Sequence, residues 1–270
     1  MNDLTVPLIS PLSRKYYQYA FDSEEKIHHR AEDVRICLEK ICDSIIIQLV
    51  SPATKLKWGN FKLHHKLESC NEFMDPTIVK QLLNAKAIGN KGAHEGEEGN
   101  YSQQDINDCL DVIKEFSLEV FYSFFVRNGF DDSEEESWIP TVFSTLPPIY
   151  RICILEKYYT VNPTVFVINK LSKAYLKNNM KEKAHDFLNQ CYDKGQINAF
   201  EFEVFKNDLK LLEPNLKYFC IARNLEQAKT NFLNLLPAID EEERYFCYFI
   251  FDNTNRRLTK LNMCNLMRHI

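Results

Sequence analysis

Glycine is scarce in this chain of 270 residues, which contains only 7. Average usage would give about 19, and so few glycines leave few sites for tight turns and left-handed backbone. The apolar fraction of 45% and the charged fraction of 26% are those of an ordinary globular protein, which excludes wholesale disorder and collagen-like repeats. Because Leu, Lys, Glu, Asn and Phe are plentiful, we predict an all-α fold.

Long apolar runs and excess positive charge are also missing. The longest apolar run, Tyr245–Phe251, is far shorter than the ~20 residues of a membrane span. The first 30 residues contain no apolar segment typical of a signal peptide. We therefore predict a cytoplasmic protein without a membrane partner. The formal net charge of −5 argues against a broad basic surface for nucleic acid.

The nine cysteines do not form a recognisable framework. Their number is odd, no CxxC pair occurs, and most lie in apolar periodic segments. This pattern predicts reduced, mostly buried thiols. His64, His65 and Cys70 are close in sequence, but no second ligand pair follows at zinc-finger spacing. We expect no metal and no cofactor.

Several well-known catalytic motifs are absent. The chain contains neither the GxxxxGK[ST] nor the GxGxxG phosphate-binding pattern. It also lacks HExxH and GxSxG. The sequence thus gives no sign of a nucleotide-hydrolysing, metalloprotease or serine-hydrolase site.

Composition divides the chain into four parts. Residues 1–22, with two prolines and an aromatic cluster, predict an extended arm that packs onto the body. A helical bundle over 23–130 begins with a helix capped by Ser23. An acidic and proline-containing linker follows over 131–147, and helical hairpins are predicted over 148–270.

The C-terminal half is weakly similar to the tetratricopeptide repeat. Residues 167–188 match one helix pair at its packing positions, which are Leu171, Tyr175, Ala184 and Leu188. A looser echo follows at Phe219, Ala228 and Phe232. Irregular helical hairpins explain the pattern equally well.

Four of the seven glycines fall within residues 89–100. This segment follows a helix that Asp75-Pro76 begins, and it precedes one that Ser102 caps and Asn128-Gly129 ends. The concentration predicts a loop between two helices. Its candidate binding residues are Gly89, Asn90, Gly92 and His94.

The segments RICLEKIC (35–42) and AIGNKGAH (87–94), with the long apolar helix after Ser102, resemble the HEPN superfamily. The resemblance covers residues 23–127. It is closest to a branch of unknown function, found alone or fused to restriction enzymes and other bacterial defence proteins. It implies a helical bundle that often forms homodimers. It also implies that Arg35 and Glu39, one helical turn apart, form a structural ion pair.

Active HEPN members are metal-independent ribonucleases in which a histidine transfers protons and an upstream arginine binds phosphate. His94 matches the histidine, but no arginine precedes it at the family's spacing. Lys86 and Arg35 are the candidate replacement cations. A lysine is a point charge, however, and does not reproduce a bidentate guanidinium.

Three interpretations of His94 stay open: a catalytic acid or base with Lys86 or Arg35, a ligand-sensing position, or a structural histidine of the glycine segment. In the structural interpretation, Asn90 occupies a left-handed turn. The leading expectation for function is a non-catalytic HEPN-like adaptor of a bacterial defence system that binds a protein partner. The alternatives are a HEPN ribonuclease using His94, with RNA as its partner, and a sensor of nucleotides or nucleic-acid ends.

Overall fold

The computed structural model describes residues 6–95, 100–131, 143–238 and 251. These residues are mostly helical and include no strand, which confirms the all-α fold. The chain divides into two compact units between Ser123 and Phe124. The N-terminal unit contains the described residues up to Ser123 together with Phe251, and the C-terminal unit contains those from Phe124 to residue 238.

The described part of the N-terminal unit has six α-helices longer than one turn, with a three-residue helix, Ile47–Leu49, between the second and third: α1 Pro11–Phe21, α2 Ile27–Ile41, α3 Pro52–Lys57, α4 Leu63–Glu68, α5 Pro76–Glu95 and α6 Gln103–Asn128. A π-helical turn, Cys42–Ile46, extends α2. Helix α2 packs between α1 and α5, and α4 also lies against α5. Along α2, Val34, Leu38 and Ile41 are fully buried, so the apolar stripe that the sequence shows forms the centre of this unit.

The N-terminal arm is not extended over residues 11–21, where it forms α1. Pro11 occupies the first turn, where its missing N–H is not needed, and the Ser10 side chain accepts a hydrogen bond from the Ser13 N–H. Tyr17 and Ala20 are buried. The arm therefore packs onto the body, as predicted, but as a helix of the unit.

The predicted start of α2 at Ser23 is wrong. Asp22 accepts a hydrogen bond from the Glu24 N–H at 3.0 Å, so its side chain stabilises a turn before the helix. The helix begins at Ile27 without a side-chain cap. The Ser102 cap of α6 is confirmed, since its hydroxyl accepts from the Asp105 N–H at 3.2 Å. Gly129, at φ +87°, ends α6 as predicted.

The C-terminal unit contains the end of α6 and five further helices: α7 Pro148–Val161, α8 Val165–Lys177, α9 Lys181–Asp193, α10 Ala199–Asn215 and α11 Leu225–Leu235. Helix α8 packs against α7, α9 and α10. Phe125 lies in an aromatic cluster with Phe130, Phe143 and Tyr158, at ring-centroid distances of 4.5, 5.1 and 5.9 Å. The predicted linker over 131–147 and the boundaries at 130 and 148 stay predictions, and residues 132–142 lie outside the described residues.

The tetratricopeptide-like segment forms the α8–α9 hairpin. Its predicted packing positions are all buried: Leu171, Tyr175, Ala184 and Leu188. In the second echo, Ala228 and Phe232 are buried on α11, whereas Phe219 precedes the helix and is 51% exposed. In this second repeat-like segment, two of the three predicted packing residues are therefore buried.

Candidate functional site

The glycine segment is helical rather than a loop over residues 89–95, because α5 continues through it to Glu95. The predicted loop conformation is therefore wrong there, and so is the left-handed turn expected at Asn90. Residues 96–99 of the segment lie outside the described residues. Within α5, Gly89 and Gly92 are one turn apart and both are buried.

The two glycines allow α5 to approach the backbone of α2. A Cβ atom at Gly89 would lie 2.7 Å from the Arg35 Cβ and 3.1 Å from the Ala31 carbonyl oxygen. At Gly92 it would lie 2.5 Å from the Ala31 Cβ and 2.7 Å from the His28 carbonyl oxygen. Since carbon atoms normally pack at about 3.5–4.0 Å, neither position accepts a side chain without movement of a helix.

These contacts also fix the direction of the helices. Gly89 lies against Arg35 and Gly92 against Ala31 and His28, so α5 and α2 are antiparallel. His94 lies two residues beyond Gly92 and is exposed. Going from Gly89 to His94 along α5 leads away from Arg35.

The structure does not bring the three candidate catalytic side chains together. Lys86 precedes His94 by eight residues, which is about 12 Å along a helix axis. The Arg35 guanidinium makes its ion pair with Glu39 at 2.9 Å, on the same helix, so the predicted Arg35–Glu39 pair is present. Among the described residues, no hydrogen bond or ion pair links His94 to Lys86 or Arg35.

Lys91 contacts the chain beyond the described end of α5. Its ammonium group donates a hydrogen bond to the Asn100 carbonyl oxygen at 3.1 Å, two residues before the Ser102 cap. Residues 89–95, predicted as a binding loop, therefore have structural roles. Gly89 and Gly92 let α5 pack against α2, and Lys91 links α5 to the chain just before α6.

A buried arginine close to this segment was missed by the sequence analysis. Arg30 on α2 is only 2% exposed. Its Nε donates to the Ala20 carbonyl oxygen at 2.7 Å, and its Nη1 donates to Gln103 Oε1 at 2.5 Å. Arg30 therefore joins the end of α1 to the start of α6. The sequence did contain one sign that Arg30 is buried, since it lies on the apolar side of α2, one residue before Ala31.

Asp33, on α2, has a pKa that is shifted toward neutral pH. Burial, together with the negative charges of Glu32 and Glu25, raises the pKa of Asp33 to about 6, and His29 opposes the shift. A carboxyl group that keeps its proton near neutrality could donate a hydrogen bond, but nothing in the described residues assigns Asp33 a ligand.

The C-terminal unit presents a row of exposed apolar side chains on the outer side of α10. Phe200, Val204 and Leu211 are 78%, 38% and 68% exposed, and their spacing places them on one face of the helix. We call these three residues the α10 stripe. Phe205 and Leu209, on the opposite face, are buried. Helix α10 is therefore apolar on two sides, of which one lies inside the unit.

Several contacts hold α10 in place. Asn198 and Glu201 form a reciprocal capping box at its start. The ring of Phe202 stacks on Tyr192 of α9, with centroids 4.7 Å apart. Asp208 accepts a hydrogen bond from Lys173 of α8 at 2.6 Å. The α10 stripe is thus displayed on a fixed helix.

The cysteines have no disulfide partner within the described residues, and most are buried. Burial raises the pKa of the Cys109 thiol to about 12, helped by Asp105 and Asp108. Cys247 and Cys264 lie outside the described residues. No group of three His, Cys, Asp or Glu side chains that could hold a metal ion occurs in the described ranges. No helix in those ranges is long and apolar enough to cross a membrane.

Comparisons with known proteins found no match for this chain. No protein-family model matches it, and no curated protein and no solved structure matches it either. The HEPN resemblance therefore stays a prediction that depends on the segments 35–42 and 87–94.

Proposed function

We propose that this protein is a non-catalytic adaptor that binds another protein through the α10 stripe. The stripe is the observation that carries the proposal. Single exposed apolar side chains are normal on protein surfaces, but three that share one helix face are typical of an interaction site. An apolar surface on the partner protein would cover Phe200, Val204 and Leu211 and remove them from water.

The surroundings of His94 favour an adaptor over a ribonuclease. Proton transfer at a phosphodiester needs a cation close to the histidine to stabilise charge at phosphorus. Lys86 is two helical turns away along α5, and Arg35 is engaged by Glu39. Within the described residues, neither predicted cation therefore lies beside the exposed imidazole of His94, and the ammonium group of Lys91, one turn before it, donates to the Asn100 carbonyl oxygen.

The biological setting of the proposal comes from the sequence. The resemblance of residues 23–127 to HEPN proteins suggests a role beside a bacterial restriction or anti-phage system, with the N-terminal unit as a homodimerisation module. The buried thiols without disulfide partners among the described residues suggest a reducing compartment such as the cytoplasm.

The first experiment measures partner binding by the full chain. A tagged wild-type protein, the double variant Phe200→Ser/Leu211→Ser and the control Leu56→Ser are purified from the native cell, and bound proteins are compared quantitatively. Leu56 is an apt control because it is 88% exposed and lies on α3, in the other unit. We expect one partner with the wild type and the control, and its loss from the double variant.

Circular dichroism of the three proteins establishes that each is folded. Equal recovery of the partner by the double variant would contradict the role of the stripe. Failure of the wild type to recover any specific partner would contradict the adaptor itself.

The second experiment tests the ribonuclease alternative directly. Purified wild type and His94→Ala are incubated with mixed tRNA and mRNA in EDTA. An adaptor gives no cleavage with either protein. Cleavage by the wild type that disappears in His94→Ala would replace the adaptor with a metal-independent ribonuclease.

A further inference from the structure

The residues of the α10 stripe have the spacing of a seam between two packed helices. Phe200, Val204 and Leu211 are exposed, and so is Asn207, which lies between the last two. The four residues therefore follow one another at intervals of four, three and four. Such alternation keeps a row of side chains on one side of a helix, where a second helix can pack along it. The stripe is thus suited to pack against another helix.

The charged residues at one edge of the stripe have opposite signs. Glu203 directly precedes Val204, and Lys210 directly precedes Leu211, so the two charges lie on the same edge, about two helical turns apart. Within the described residues, the Lys210 ammonium group makes no hydrogen bond or ion pair. Glu203 has an exposed ion pair with Lys206 at 3.3 Å. Both charges can therefore be reached by a molecule that covers the stripe.

The carboxylates at the other edge of the stripe are already engaged within the unit. Glu201 accepts a hydrogen bond at 2.8 Å from the backbone N–H of the residue that caps α10. Asp208 forms an ion pair with Lys173 of α8 at 2.6 Å. Charge matching between the stripe and its occupant therefore depends on Glu203 and Lys210.

The stripe is complementary to itself when two copies of α10 pack antiparallel. Phe200 then lies opposite Leu211 of the second copy, and a two-fold axis repeats this contact at the other end of the seam. Val204 lies opposite Asn207 near the axis. An asparagine in such a seam lowers the affinity but fixes the register of the two helices. The antiparallel pairing therefore covers the large apolar side chains at both ends of the seam.

Charge selects the antiparallel orientation over the parallel one. In the antiparallel pair, Glu203 faces Lys210 of the second copy, and the symmetry provides two such ion pairs. In a parallel pair, Glu203 would face Asp208 of the second copy. Lys210 would face Asn215, so neither charge would gain an opposite one. Exposed ion pairs contribute little affinity, so the apolar contacts hold the dimer and the charges set its orientation.

We propose that, when no other protein is bound, the α10 stripe pairs antiparallel with the α10 stripe of a second copy of this chain. The proposal rests on the stripe being the interaction surface of the proposed function, and it adds how that surface is regulated. Because one stripe cannot be covered twice, self-association and partner binding exclude each other. The seam is short, so we expect a weak dimer with a Kd on the order of 100 µM, which a partner can displace.

Sedimentation equilibrium of the full chain, at concentrations of about 5–500 µM, measures this association. The proteins compared are the wild type, Glu203→Lys, Lys210→Glu, the double variant Glu203→Lys/Lys210→Glu and the control Lys80→Glu. Lys80 is an exposed lysine of α5, in the other unit. Each single reversal places like charges opposite each other, so the Kd should rise about tenfold. The double variant exchanges the two charges and restores both ion pairs, so its Kd should return to within about threefold of the wild-type value.

The apolar contacts are tested with Phe200→Ser/Leu211→Ser, which should lose the association, whereas Lys80→Glu should keep it. Any association through the N-terminal unit is common to all these proteins and does not change between them. A wild type that is monomeric over the whole range would overturn the proposal. An unchanged association of Phe200→Ser/Leu211→Ser would also overturn it, as would a double charge variant that associates no better than the single ones.

Failure of self-association is distinguishable from failure of the proposed function. Partner capture from the native cell is measured separately and does not require a dimer. A monomeric wild type that still recovers its partner through the stripe would overturn only the self-pairing. A wild type that dimerises through the stripe but recovers no partner would support the self-pairing and contradict the adaptor.

Discussion

The close approach of α5 to α2 predicts that Gly92→Ala destabilises the N-terminal unit. In an isolated helix the same change would stabilise by about 1 kcal/mol, because alanine has the higher helix propensity. Here the new Cβ would lie 2.5 Å from the Ala31 Cβ and 2.7 Å from the His28 carbonyl oxygen. Backbone atoms cannot rotate away as a flexible side chain can, so the two helices must separate by about 1 Å.

The size of the effect follows from these opposing contributions. Overpacking in a core costs about 1–3 kcal/mol, and Gly92 lies at the upper end because a Cβ there would have two contacts shorter than 3.0 Å, one of them to a backbone oxygen. Because the higher helix propensity of alanine offsets part of this cost, we expect Gly92→Ala to lower the free energy of unfolding by about 2 kcal/mol. Gly89→Ala should lose less, about 1 kcal/mol, since its nearest contact is 2.7 Å and the next is 3.0 Å.

Urea unfolding monitored by the fluorescence of Trp58 measures the free energy of unfolding of the N-terminal unit, which contains both glycines. Trp58 is buried in the N-terminal unit, and a Trp138→Phe background removes the other tryptophan of the chain. Gly59→Ala is the matched control, because nothing lies within 4 Å of a Cβ at Gly59. We expect the control to remain within about 0.5 kcal/mol of the wild type.

A partner variant sharpens the test. Ala31→Gly removes the closest atom, so the double variant Ala31→Gly/Gly92→Ala should lose less than the sum of the two single changes. A wild-type or higher stability of Gly92→Ala would refute the helical packing of this segment. That result would instead agree with an exposed glycine loop.

Three further predictions use the same unfolding assay. Folding raises the pKa of Asp33, so its charged form is unfavourable above about pH 6 and the penalty is relieved as the pH falls toward 4. Asp33→Asn should therefore stabilise by about 1 kcal/mol near pH 7, after allowance for solvent screening, with no gain near pH 4. A gain independent of pH would contradict this cause. Arg30→Met should destabilise by about 2 kcal/mol, because it leaves the buried Ala20 carbonyl oxygen unpaired and removes the hydrogen bond to the exposed Gln103 side chain, and an unchanged stability would refute the role of Arg30 in joining α1 to α6. Ser102→Ala should lose about 1 kcal/mol at the start of α6, and a loss near zero would show that the cap contributes little.

Local signals in the sequence were sufficient for many helix ends and for the fold class. Asp75-Pro76, Ser102 and Asn128-Gly129 marked helix boundaries that the structure confirms. Caps and terminal glycines act over one helical turn, so neighbouring residues contain the relevant physics. The α8–α9 hairpin was recognisable for a similar reason, since its packing positions recur at helical spacing.

Only the tertiary structure decided the conformation at Gly89 and Gly92. By propensity, two glycines near a helix end favour a loop. The contacts with Ala31 and Arg35 reverse this preference, because two helices can approach so closely only where one of them lacks side chains. The sequence contains both helices but not their distance, which depends on how residues some 60 positions apart meet.

For the charged groups, too, the sequence determined the local pairing and the tertiary structure decided the burial. The sequence alone determined that Arg35 and Glu39 could pair, because they are one turn apart on a single helix. It did not show that Arg30 and Arg151 are buried, since burial of a charge depends on which elements surround it. The sequence singled out His94 as the main candidate site residue, but in the structure it is exposed on α5. The α10 stripe could be recognised only from the structure, because both faces of α10 are apolar and packing decides which of them is buried.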